Sequence, residues 1–145
     1  MTDTLPADAW FEIEQPVMFQ HCDPAGIVFY PRYFEMINVT VERWFAEAHD
    51  LSFARMHERN RAAVPLASIT AAFHAPSRLG DILTWRLTPR RLGGSSLDVE
   101  ITAKRVDEQR VTARATLVHV GMTDKRPMRW PAEFRERVTH MKEEE

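Results

Sequence analysis

The apolar residues of this chain keep two different periods, and the switch between them restricts the fold more than any other feature. From Pro31 to about Asp50, Phe34, Ile37, Val41, Trp44, Phe45 and Ala48 recur at spacings of three and four. Arg32, Glu35, Glu42, Arg43 and Glu47 take the other faces, which is the pattern of an amphipathic helix. Pro31 suits the first turn of that helix. At 1.5 Å per residue it would run about 30 Å, enough to cross a whole small sheet. Further along, the period falls to two. Ile69, Ala71 and Phe73 share a face, as do Leu83, Trp85 and Leu87, then Leu97, Val99, Ile101 and Ala103, then Val111, Ala113, Ala115 and Leu117. Turn chemistry separates these four strands at Ala75-Pro76 and Leu79-Gly80-Asp81, at Gly93-Gly94, and at Asp107-Glu108-Gln109. Such short connections favour antiparallel neighbours.

Upstream, Phe11, Ile13, Val17 and Phe19 alternate as a further strand, in which Pro16 calls for an edge or a bulge. The polar stretch Ser52 to Arg61 is expected to hold a shorter helix, Pro131 to Met141 a closing one, and Lys142 to Glu145 a solvated end. One strand, a long helix and four more strands define a two-layer α+β domain whose helical stripe buries against one sheet face. Each large side chain on the stripe contributes about 1.5–3 kcal/mol on full burial.

At 145 residues, positions 1–145 are read as one domain. Nineteen Lys and Arg against 21 Asp and Glu provide no global positive field, so nucleic acid is not an expected partner. A single cysteine, Cys22, excludes an internal disulfide. No apolar run approaches the roughly 20 residues of a membrane helix, so no membrane partner is expected and the chain is read as cytoplasmic. GxSxG, P-loop and GxGxxG motifs are absent, and the six histidines include no pair spaced for one helix face. Neither a metal nor a cofactor is expected. Cys22 with His21 does not read as a nucleophile and base, since neighbours on an extended segment point to opposite sides.

The segment from His21 to Pro31, between the first strand and the long helix, is the most informative. Asp23-Pro24-Ala25-Gly26 has type I turn chemistry, and in one reading Asp23 only caps that turn. In the other, Asp23 is a carboxylate held near a helix N-terminus whose unpaired N–H groups can receive an oxyanion. A carboxylate and an oxyanion site are the minimum for acyl transfer without Ser, Cys or metal.

The stretch Phe19-Gln-His-Cys-Asp-Pro-Ala-Gly-Ile-Val-Phe-Tyr-Pro-Arg-Tyr-Phe34 closely resembles the opening motif of the 4-hydroxybenzoyl-CoA thioesterase family, in its Pseudomonas-type branch. The resemblance extends over the strand order, Phe73 to Pro76, Gly80-Asp81 and Trp130-Pro131. It implies a hot dog fold, an antiparallel sheet wrapped around one long helix, and a homodimer or homotetramer with active sites between subunits. By position, Asp23 matches the catalytic carboxylate, as nucleophile or as base for water, and Tyr30 the residue whose backbone N–H polarises the thioester carbonyl. Where the relative directs an acidic side chain at the hydroxyl of its substrate's ring, this chain has Asn38. Phe29 and Tyr33 are candidates to line the acyl site and equally candidates for the core, so an aromatic or a short to medium aliphatic acyl group fits.

Coenzyme A, here part of the substrate, carries phosphates. Arg90 and Arg91 before the Gly93-Gly94 turn, and Lys125 and Arg126 after the last strand, are the basic residues expected to meet them. The alternatives are a non-catalytic acyl-CoA binding module and a hot dog hydratase or dehydratase.

Overall fold

The long amphipathic stretch forms α1, Tyr30–Arg43, with Pro31 in its first turn. The computed structural model describes residues 3–5 and 9–139. The helix does not stay α-helical to residue 50: at Trp44–Ala48 it widens into a π-turn. That expectation is corrected by packing, since Trp44 and Phe45, adjacent in sequence, are both fully buried and a wider turn accommodates the two rings side by side. A short helix α2, Phe53–Arg59, follows, started by Ser52, whose hydroxyl accepts the Arg55 N–H.

The strands are β1 (Asp3–Thr4), β2 (Phe11–Pro16), β3 (Ala62–Ala63), β4 (Leu66–Phe73), β5 (Ile82–Leu92), β6 (Ser96–Arg105), β7 (Glu108–Val118) and β8 (Val120–Gly121), and α3 spans Ala132–Thr139. All pairings are antiparallel. The main sheet runs β1-β5-β6-β7-β4, with β2 beside β1 along the same side of β5. β2 is therefore an edge strand and ends at Pro16, which has no N–H to continue the ladder. Phe19, expected on that strand, lies in the 3-10 turn Phe19–His21 and is 82% exposed. The β6–β7 hairpin turns on Val106 and Asp107, one residue earlier than expected, with Val106 at φ +55°. The remainder of the closing stretch, residues 140 and 141, and the end 142–145 lie outside the described residues.

The inward faces of β5, β6 and β7 carry Leu83, Trp85, Leu87, Leu97, Val99, Ile101, Ala103, Val111, Ala113, Ala115 and Leu117, all buried. Against them lie Tyr33, Met36, Ile37, Val41, Trp44 and Phe45 from the helix. Thr40, fully buried on the same stripe, is satisfied locally: its hydroxyl donates to Met36 O at 2.9 Å and accepts from Gln15 Nε2 at 3.1 Å. The sheet thus wraps the helix, and because its strands alternate in direction it has two distinct ends. One end carries the turn after β2, the start of α1 and the segment before β5; the other carries β3, β8 and α3. No helix among the described residues is long and apolar enough to cross a membrane.

Candidate active site

The loop singled out in the sequence is a tight hairpin. Gly26 N–H donates to Asp23 O at 2.9 Å, closing the turn, and Asp23 N–H donates to Ile27 O at 3.0 Å. Gly26 has φ +81°, a left-handed conformation that glycine adopts without the Cβ penalty. The arms are joined by a bridge between Cys22 and Val28 and by the Phe29 N–H donating to His21 O at 2.9 Å. His21 Nδ1 accepts the Met18 N–H at 2.8 Å, which puts the proton of the neutral ring on Nε2. Burial lowers the His21 pKa against the pull of Glu35, with Arg32 acting in the same direction as burial.

Asp23 is partly buried at the turn. Its Oδ1 accepts the Ala25 N–H at 2.9 Å, so the turn-capping geometry is realised. Oδ2 has no hydrogen-bond partner among the described residues. The carboxylate is thus oriented through one oxygen and open at the other. Beyond the second arm, α1 begins at Tyr30 with no side-chain cap. Phe29 N–H is used by His21 O, Pro31 has none, and Arg32 N–H turns back to Phe29 O at 2.8 Å. The Tyr30 N–H, first in the helix, has no acceptor within it.

A second loop holds this hairpin in place. Val28 N–H donates to Ser77 O at 2.9 Å, Leu79 N–H to Gly26 O at 3.3 Å, and Ile27 bridges Arg78. The second loop is fixed in turn by Arg110, whose side chain is 6% exposed and whose Nη1 reaches Ser77 Oγ at 3.0 Å and Asp81 Oδ2 at 2.9 Å. Burial pushes the Asp81 carboxyl up, but the Arg78 N–H, Arg110 and Arg105 outweigh it and hold the pKa below its ordinary value. Arg110 is the residue the sequence reading missed. An arginine beside a charged hairpin turn looks solvated, and no local spacing marks its partner Asp81, 29 positions away.

The other predicted residues divide into groups. Tyr33 is 4% exposed and stacks on Phe73 with ring centres 5.2 Å apart, so within one chain it is a packed residue. Phe29 is half-exposed and lies edge-on to Tyr30 at 5.6 Å. Asn38 is on the exposed side of α1. Arg90 and Arg91 line a concavity of about 450 Å³ on the outer sheet face, together with Arg114, Ser68, Thr70 and Thr116. Arg90 also pairs with Glu100 at 2.7 Å. Lys125 and Arg126 do not line it: they sit on the exposed loop after β8, where Lys125 Nζ donates to Met122 O. Arg90 stands eight residues along β5 from Ile82, about 27 Å at strand rise, so Asp23 and the paired arginines lie toward opposite ends of one chain.

Solved structures place this architecture in the hot dog class. The 1,4-dihydroxy-2-naphthoyl-CoA thioesterase from Synechocystis superposes with a TM-score of 0.81 at 21% identity, covering 89% of this chain and 95% of that one. The 4-hydroxybenzoyl-CoA thioesterase from Pseudomonas sp. strain CBS-3 does so with a TM-score of 0.81 at 20% identity, covering 88% and 98%. A relative from Prochlorococcus marinus strain MIT 9515, named 1,4-dihydroxy-2-naphthoyl-CoA hydrolase, is 25% identical over 150 aligned positions, 93% of this chain and 97% of its own. Residues 17–138 match the family model of the thioesterase-like superfamily, and the chain belongs to that superfamily.

Proposed function

We propose that the protein hydrolyses an aromatic acyl-CoA thioester to the free acid and CoA, with Asp23 as the reacting carboxylate. The observation that carries this is the state of Asp23: one oxygen is fixed by the Ala25 N–H, the other has no partner among the described residues, and the adjoining helix starts at Tyr30, whose N–H has no acceptor within it. Attack on the thioester carbon, by Oδ2 or by a water that Oδ2 deprotonates, moves an electron pair onto the carbonyl oxygen. An N–H aimed at that oxygen stabilises it most as the charge forms, assisted by the helix dipole. Collapse breaks the C–S bond and expels the CoA thiolate; water, attacking directly or hydrolysing the acyl-aspartate anhydride, supplies the oxygen of the released acid and the proton that converts the thiolate to the thiol. The reading needs no cofactor, since CoA enters as part of the substrate.

An aromatic acyl group is favoured over an aliphatic one by the relatives, one a 1,4-dihydroxy-2-naphthoyl-CoA hydrolase and one a 4-hydroxybenzoyl-CoA thioesterase. Half-exposed Phe29 and Phe73 offer flat apolar surface beside the helix start. Asn38, neutral where the resemblance has an acid, would accept or donate a hydrogen bond to a ring substituent without requiring a phenol.

The working unit is read as a homodimer, or a homotetramer of such dimers. One side of β4 has no strand partner among the described residues, and its end residues Leu66 and Phe73 are 51% and 44% exposed. Antiparallel pairing of two β4 edges turns one protomer end for end. The sheet end bearing Arg90 and Arg91 of one copy then approaches the end bearing Asp23 of the other, so a single CoA could meet both across the pair. Thiol release measured over aromatic and aliphatic CoA esters tests the reading. Turnover concentrated on aromatic esters is expected, and no thiol release from any of them would refute it.

A further inference from the structure

At the far end of the long helix from Asp23, about 25 Å away by helix rise, the π-turn delivers His49 into a pocket that the thioesterase reading does not use. His49 is 6% exposed, wedged between Trp44 (ring centres 4.5 Å apart) and Phe134 (5.1 Å), and neither ring nitrogen has a hydrogen-bond partner among the described residues. Buried polar atoms left unpaired in this way are uncommon in folded proteins. Beside His49 opens a cavity of about 320 Å³, walled by Leu51 and Phe134 and lined by Arg55, Arg59 and Arg137.

The three guanidiniums come from two elements. Arg55 and Arg59 sit one turn apart on α2, where like charges repel, and Arg137 sits on α3, its Nη2 donating to Ala48 O at 2.8 Å. Two carboxylates share the lining, Asp50 and Glu133. Asp50 is already paired with Arg55 at 3.0 Å, whereas Arg59 has no ion-pair or hydrogen-bond partner among the described residues. Positive charge therefore exceeds negative in a concave, partly apolar site, and the fork of an arginine suits the paired oxygens of an oxyanion.

We infer that this cavity is a second ligand site, which binds a small oxyanion, a carboxylate or phosphate group, between Arg59 and Arg137. The volume is near the lower limit for ligand pockets, so the group is a free anion or the end of a compact molecule. The site is independent of the acyl-CoA reading and stands or falls separately.

Calorimetric titration with inorganic phosphate and, separately, with benzoate, at ionic strength held constant with sodium chloride, tests it. The expected result is saturable binding of at least one of them to the wild type. Binding should weaken about tenfold or more in Arg59→Gln and in Arg137→Gln and stay unchanged in Asp23→Asn. Binding of phosphate alone or of benzoate alone identifies the group recognised. Arg59→Gln removes no side-chain hydrogen bond or ion pair among the described residues, so it remains informative should Arg137→Gln fail to fold. Absence of saturable binding to the wild type, equal binding by Arg59→Gln, or loss of binding in Asp23→Asn would overturn the inference.

Discussion

Replacing His49 by Leu should change how stability depends on pH. Burial, helped by the nearby Arg137, lowers the His49 pKa from 6.5 to about 4. The unfolded chain takes up a proton on this ring as pH drops through 6.5, while the folded chain refuses it until about 4. The contribution of His49 is thus fully present above pH 6.5 and is progressively lost as pH falls toward 4. A shift from 6.5 to about 4, at about 1.4 kcal/mol per unit, amounts to about 3 kcal/mol across that window. Leucine has no charge to acquire and leaves no unpaired nitrogen between Trp44 and Phe134. Denaturant titrations at pH 7 and pH 4.5, in buffers free of phosphate and carboxylate, measure the difference directly. The wild type should lose about 2–3 kcal/mol more than His49→Leu over this interval. Parallel loss in the two proteins would mean that His49 is protonated in the fold and that the burial argument is wrong.

Arg110→Leu removes one charged hydrogen-bond partner from the partly buried Asp81, which keeps the Arg78 N–H and Arg105, and should cost about 1.5–3 kcal/mol in denaturant unfolding. Because Arg110 holds the loop against which the Asp23 hairpin rests, the same variant should lower thiol release even at temperatures where it stays folded. Val106, 81% exposed at φ +55°, places a β-branched residue in a left-handed conformation. Val106→Asn should therefore raise stability by about 1 kcal/mol, read as a higher Tm, and an unchanged or lower Tm would contradict the strain. Arg91→Ala should raise KM for CoA thioesters severalfold, with kcat nearly unaffected and a weaker dependence of KM on salt. A fall in kcat at constant KM would remove Arg91 from phosphate binding.

The helix and the four long strands were legible because each buries one face, and burial of one face imposes its period on the sequence. The π-turn was not, since spacings of three and four continue through Trp44 and Ala48 whichever way the backbone carries them. The Asp23 hairpin was legible from local chemistry alone: Asp, Pro and Gly occupy the turn positions that each favours, and the bond from Gly26 N–H to Asp23 O closes as expected. Its support by Arg110 depends on contacts distant in sequence, as does the separation of Arg90 and Arg91 from Lys125 and Arg126. Neither leaves a periodic trace. Tyr33 shows the same limit, because a tyrosine on the apolar stripe of a helix can line a site or fill a core, and only its stacking on Phe73 places it in the core of the single chain.

Asp23→Asn tests the central claim most directly, because asparagine keeps the shape and the oxygen that accepts the Ala25 N–H while removing the charge at the second position. Thiol release from an aromatic CoA ester, measured for wild type and variant at equal folded concentration, should fall in kcat by about 100-fold or more, with KM changed little. A variant that turns over at close to the wild-type rate would show that another group carries the reaction and that the carboxylate does no more than cap its turn.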